Sequence, residues 1–223
     1  MLEAVKDEFN KRSEEIDTLY SHIIELDGET NERLRESSVG LISILASSLC
    51  LMLYNQVEST AFSCVESIYD SVHERRISFN RLVPGFKKKI LNDCKQSYHS
   101  VESLMLSFHN NDISEVIART SLKLEKVFSG NVDARKLREV LGYYHLAVSG
   151  PSPLNQGAEL LNLKIARNSL AHGSASFEKY GRSLTVSDLD DLRNNIREYM
   201  SHVISLTECY LEAEAYLDPS NAA

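Results

Sequence analysis

Apolar residues recur every three or four positions from the start of the chain: Leu2, Val5, Phe9, Ile16, Leu19, Ile23 and Leu26, with charges between them. That is the period of an amphipathic helix, and Asp27-Gly28 supplies a stop, so a first helix is predicted over about 2–26. A second begins near Thr30 and runs to about His73. Its stretch from Val39 to Val57 carries no charge and is apolar almost all round, as in the most buried helix of a bundle. A membrane span needs about 20 mainly apolar residues. This run is interrupted by serines, a glycine, an asparagine and a glutamine, and lacks aromatic or basic anchors at both ends. It is read as a buried helix.

The pattern changes after Glu74. Pro84-Gly85, Gly130-Asn131 and Ser149-Gly-Pro-Ser-Pro153 break the chain into short amphipathic stretches at about 86–108, 113–127 and 133–146. Asn131 or Asp133 can cap the last of them. Helical periodicity returns from Ala158 to Ala171 through Leu160, Leu161, Leu163, Ile165 and Leu170, and ends at Gly173. Ser187, with Asp190 in the capping-box position, is expected to open the final helix. Leu189, Leu192, Ile196, Tyr199, Val203, Leu206 and Tyr210 carry its apolar face to about Leu217, and residues 218–223 are expected to fray. The expectation is one all-α domain over 1–217. Its core helices lie at about 2–26, 30–73, 158–173 and 187–217, with an insertion of shorter helices at about 74–157.

Four prolines and nine glycines in 223 residues leave room for such long helices. The formal charge is −8, from 24 basic and 32 acidic side chains. So acidic a chain is a poor general nucleic-acid binder, because nonspecific affinity comes from Lys and Arg displacing counterions. A nucleic-acid role therefore needs a local basic cleft, a partner, or a second copy of the chain. Cys50, Cys64, Cys94 and Cys209 form no C-x-x-C pair and no zinc-finger spacing, which reads as reduced thiols in a reducing compartment. Leu2 to Arg12 lacks the apolar core of a signal peptide. A cytoplasmic protein without membrane attachment is expected.

The chemistry-bearing segment is Lys164-Ile-Ala-Arg-Asn-Ser-Leu-Ala-His-Gly173. Asn168 and His172 are four apart and share a helical face. Arg167, five before His172, is turned roughly 140° from it on an ideal helix. The three converge only if the helix loosens at its end or a second chain completes the site. These residue types suit metal-free cleavage of an RNA phosphodiester. Histidine can take or give a proton near neutrality, and the arginine fork matches phosphate oxygens and the charge that develops on them. Asparagine can orient either. The reaction needs both an acid and a base, which a two-fold dimer would supply. A plainer reading remains open, in which His172 caps the last carbonyls and Arg167 makes an ion pair.

Arg167-Asn168-Ser-Leu-Ala-His172-Gly173 resembles the signature of the HEPN superfamily: an Arg, a polar residue, then a His four to six positions after the Arg, in the last helices of a bundle. Leu51-Met-Leu-Tyr-Asn-Gln-Val-Glu-Ser-Thr60 resembles the second-helix motif of the MAE-like HEPN families. Phe128-Ser-Gly-Asn-Val-Asp133 resembles their central segment, and Ser176-Phe177 through Leu189 their turn into the last helix. The resemblance spans about 5–205. It implies a HEPN-type helical bundle, dimerisation, and often ribonuclease activity in toxin–antitoxin, restriction or abortive-infection systems. It gives catalytic roles to Arg167, His172 and Asn168, RNA as substrate, no cofactor and no metal, and allows an antitoxin or defence-system partner protein. Some HEPN proteins act instead as non-catalytic interaction modules for a partner protein or nucleotide.

Glu58 and Asn55 fall in the second helix as supporting residues. A buried carboxylate needs a partner, and Glu58 is expected to pair with Arg167 and aim it. A local hydrogen bond or a partly exposed position is the other possibility. Arg75-Arg76 and Lys87-Lys88-Lys89 are the tight basic clusters, either phosphate contacts beside the cleft or a solvated helix face. His22, His73, His99, His109, His145 and His202 show no metal-site spacing. Tyr143-Tyr144 reads as core rather than as a base-stacking platform.

Overall fold

The computed structural model describes residues 2–97, 100, 102–103, 105–106, 125–128, 130–152 and 155–221. The described residues form helices and no strand, with one isolated bridge between Leu82 and Leu217. Helix α1 is Leu2–Asp27 and α2 is Glu32–Glu74. They are followed by α3 (Pro84–Ser97), a single turn α4 (Glu125–Phe128) and α5 (Ala134–Gly142). The chain closes with α6 (Ala158–Ala171), a short α7 (Phe177–Gly181) and α8 (Val186–Glu212).

Helix α2 is the axis of the bundle, packing against α1, α6, α7 and α8. Its buried stripe includes Leu49, Leu53, Val57, Ala61, Val65 and Ile68. The buried amide of Gln56 donates to Phe9 O at 3.1 Å and to Ser13 Oγ at 2.7 Å, which fixes the register of α1 on α2. Arg197, at 2.6 Å, and Arg193 both reach Asp17, tying α8 to α1. A window within Ser38–Glu74 is long and apolar enough to cross a membrane by length and composition, and 39% of it is buried inside the protein. The expectation of burial all round needs correction. Val39, Leu41 and Ile44 are exposed, and Asn55 is on the surface, because no helix among the described residues covers these positions of α2.

Other boundaries shift for local reasons. Pro84-Gly85 does not break a helix but starts α3, with proline at the first position, where its missing N–H costs nothing. The rest of the 86–108 stretch and most of 113–127 fall largely outside the described residues. Asp133 caps α5, accepting from Lys136 N at 2.8 Å. The last helix is capped by Thr185, not Ser187. Thr185 Oγ1 accepts from Asp188 N at 3.1 Å, and the Asp188 carboxylate accepts from Thr185 N at 2.8 Å. Two overlapping boxes exist in the sequence, and this one sets Leu184, packed against the core, and Leu189, within it, at the staple positions. Helix α8 stops at Glu212 rather than near Leu217, because Glu214 takes a left-handed φ of 49° and turns Tyr216 into the core. Asp218 N then donates to Arg81 O at 2.8 Å, so the expected fraying does not hold for the tail through Asn221. Residues 222–223 lie outside the described residues. Tyr144 is core, edge-on to Phe86 and Tyr69 with ring centroids 4.8 and 5.8 Å apart.

Candidate active site

Helix α6 is polar at one end for a local reason. It finishes in a Schellman turn: Ser174 N donates to Ser169 O at 3.0 Å, and Gly173 N to Leu170 O at 3.3 Å. Gly173 sits at φ 70° with open space around it, at the helix end the sequence predicted. His172 occupies the C-cap, exposed, and its ring makes no hydrogen bond among the described residues. The imidazole is therefore presented to solvent at the C-terminal tip of α6.

Arg167 lies on a different flank. It is half-buried and has no ion-pair partner among the described residues. Its Nη1 donates to Asn168 Oδ1 at 3.1 Å, which links it to the face that Asn168 shares with His172. The guanidinium carbon is 5.8 Å from the centroid of the Tyr54 ring, within reach of a cation–π contact. It also packs on Gly130, where an added Cβ would lie 2.9 Å from Cζ and 2.5 Å from Nη2.

The segment Gly130–Asp133 is the hub of this arrangement, clamped between two helices. From α2, Glu58 Oε1 accepts from Gly130 N at 2.8 Å, and Tyr54 Oη accepts from Val132 N at 3.1 Å. These side chains are four apart and share a face. From α6, Lys164 pairs with Asp133 and Arg167 meets Gly130, three residues apart on one flank. Burial pushes the Asp133 carboxyl up, but the Lys164 ammonium and the Lys136 N–H together hold it below the usual carboxylate value. Burial raises the Tyr54 hydroxyl above its usual value.

The structure thus brings Arg167, Asn168 and His172 to one end of α6, and sets Glu58 beside Arg167 without a direct pair. Glu58 holds the Gly130 N–H instead, and the guanidinium packs on the same glycine. Asn55 is exposed and joins none of these contacts. The basic clusters are not beside the site. Arg75 lies 17 residues beyond Glu58 on α2, roughly 25 Å along the axis. Arg75 is paired with Glu214, and Lys89 with Asp93 at 2.5 Å, while α3, which carries Lys87 and Lys88, packs its Phe86 edge-on to Tyr69, about three turns beyond Glu58 on α2. Tyr54 and Gly130 were not singled out from sequence. Their signal was the two spaced pairs, Tyr54/Glu58 and Lys164/Arg167, flanking a Gly-Asn-Val-Asp turn.

No group of three or more His, Cys, Asp or Glu side chains is arranged to hold a metal among the described residues. A cavity of about 440 Å³ between α6, α7 and α8 is lined by Cys50, Glu159, Tyr180 and Asp191, but by neither Arg167 nor His172. None of the four cysteines is in a disulfide, and burial pushes the Cys50 and Cys64 thiols up to about 12.

A helical bundle with an Arg-x4-His helix end is the architecture of HEPN domains, and the family comparison agrees. The chain matches the MAE_28990-like HEPN family over residues 1–216, and it belongs to that family. No curated protein and no solved structure matches it significantly.

Proposed function

We propose that this protein is a metal-independent endoribonuclease of a prokaryotic defence or toxin–antitoxin system, acting in the cytoplasm as a homodimer. The observation that carries the reading is a half-buried arginine with no acidic partner among the described residues, joined through Asn168 to the face of an exposed histidine. A guanidinium with no carboxylate partner among the described residues is suited to a phosphate. In the reaction the 2′-oxygen of RNA attacks the adjacent phosphorus while a base takes its proton. The bond from phosphorus to the 5′-oxygen then breaks, and an acid protonates that oxygen. The products are a 2′,3′-cyclic phosphate and a 5′-hydroxyl. Arg167 stabilises the phosphorane, His172 acts as acid or base, and Asn168 positions them.

One chain offers one such histidine, so the second proton-transfer group comes from a second copy. Leu161 and Ile165, 46% and 54% exposed, lie on the same outward face of α6 as Asn168 and His172. An apolar pair beside the catalytic tip is suited to bury against its symmetry mate.

A second reading is a non-catalytic HEPN module that binds a partner protein or nucleotide. The net charge of −8 favours it, since RNA approaches an acidic surface. Incubating the purified protein with RNA in EDTA, beside Arg167→Ala and His172→Ala, separates the two. Cleavage lost in both variants supports the enzyme. A wild type that leaves RNA intact under every partner-free condition supports the module.

A further inference from the structure

Arg167 needs help to stay where it is. An arginine without an ion-pair partner has four rotatable side-chain bonds and a charged head that water attracts. Its one hydrogen bond among the described residues is to Asn168, its own neighbour on α6. What confines the head lies elsewhere in the chain: the Tyr54 ring at 5.8 Å and the bare Cα of Gly130. Gly130 stands at φ 71°, in the left-handed region, and is itself fixed by Glu58 accepting its N–H. Two residues on, Tyr54 fixes the Val132 N–H with the hydroxyl of the ring that faces the guanidinium. Lys164 fixes Asp133 at the far end of the turn. Each end of the Gly130–Asp133 turn is therefore pinned, and no side chain other than glycine leaves room for the guanidinium against it.

We propose that Gly130 and Tyr54 form the seat that positions Arg167, with Glu58 acting on Arg167 through Gly130 rather than by pairing with it. The proposal deepens the ribonuclease reading and rests on it for its catalytic consequence, but the seat itself is a property of the folded chain. Gly130 and Tyr54 are positioning residues. A methyl group on Gly130 would lie 2.5 Å from Nη2, so the guanidinium must move by roughly an ångström to restore ordinary contact. Displacement on that scale costs about 100-fold in turnover when the displaced group acts on the transition state.

The test reads the arginine directly. In an NMR spectrum of the labelled full chain, the Arg167 Nε–Hε resonance is assigned by its loss in Arg167→Lys. In the wild type it is shifted by the Tyr54 ring and protected from exchange. In Gly130→Ala and in Tyr54→Leu it moves to the position and exchange rate of a free arginine, while the amide spectrum of α1 and α8 stays in place. Tyr54→Leu keeps the test alive if Gly130→Ala does not fold. The functional arm measures RNA cleavage: both variants lower kcat with little change in KM, and neither has a further effect in an Arg167→Ala background. An Arg167 resonance that already looks free in the wild type, or that is unmoved in a folded seat variant, overturns the proposal. A shifted, protected resonance in a wild type that cleaves no RNA leaves the seat standing and removes the ribonuclease reading instead.

Discussion

Replacing Asp133 by alanine removes two things at once. The carboxylate caps α5 through Lys136 N at 2.8 Å, and loss of such a cap costs about 1 kcal/mol. The same carboxylate pairs with Lys164, with the two side chains 7% and 18% exposed. Breaking a buried pair by removing one partner costs roughly 3–5 kcal/mol, and the residual exposure of Lys164 puts this case at the low end. Together the loss is about 4 kcal/mol, or roughly 8–16 °C in melting temperature for a chain of this size. Urea denaturation followed by far-UV circular dichroism measures it. Asp133→Asn, which keeps an acceptor for the cap, falls between wild type and Asp133→Ala. Adding Lys164→Met to Asp133→Ala recovers most of the ion-pair share, since the orphaned charge is then gone. The pH dependence has a definite sign. The folded carboxyl is held below its unfolded value, so the stabilisation is fully present above about pH 4 and is lost as pH falls through the lower folded value. The gap between wild type and Asp133→Ala is therefore constant from neutral to mildly acidic pH and narrows below about pH 4. A cost under about 1 kcal/mol at neutral pH, or a gap that widens in acid, would refute the clamp between α2 and α6.

Leu161→Asp together with Ile165→Asp leaves the circular dichroism unchanged but gives a monomer by sedimentation, with cleavage lost; an active monomer contradicts the composite site. Gly173→Ala meets no neighbour, so its effect is the backbone cost of a left-handed alanine, about 1–2 kcal/mol by thermal melting. Lys88→Glu, at the end of the bundle away from Arg167, leaves cleavage within about twofold and changes its salt dependence little; a slope reduced by a full phosphate contact would restore that lysine to the RNA path.

What the sequence made legible was what local physics decides. The apolar spacing of α1 and α6 and the glycine after His172 marked their elements to within a residue or two. The Thr185 cap was missed because Thr185/Asp188 and Ser187/Asp190 are overlapping boxes of equal local quality, and the choice between them is made by packing of Leu184 and Leu189. The exposed stripe of α2 was missed because periodicity reports that a helix is apolar, not which sides have neighbours. Arg167, Asn168 and His172 stood out because rare chemistry sat at a helix end. Gly130 and Tyr54 did not. A glycine beside an asparagine reads as an ordinary turn, and nothing local separates Tyr54 from nine other tyrosines. Their part exists only once α6 lays Arg167 across the turn that α2 holds.

The most direct test of the chemistry is the mass spectrum of products from one RNA sequence and its all-2′-O-methyl counterpart, both incubated with the protein in EDTA. Fragments ending in a 2′,3′-cyclic phosphate from the RNA alone, absent with His172→Ala and with Arg167→Ala, are the predicted result. Fragments with 3′-hydroxyl ends, cleavage of the blocked strand, or undiminished cleavage by either variant would contradict an arginine and an imidazole acting together on a phosphate attacked by its own 2′-oxygen.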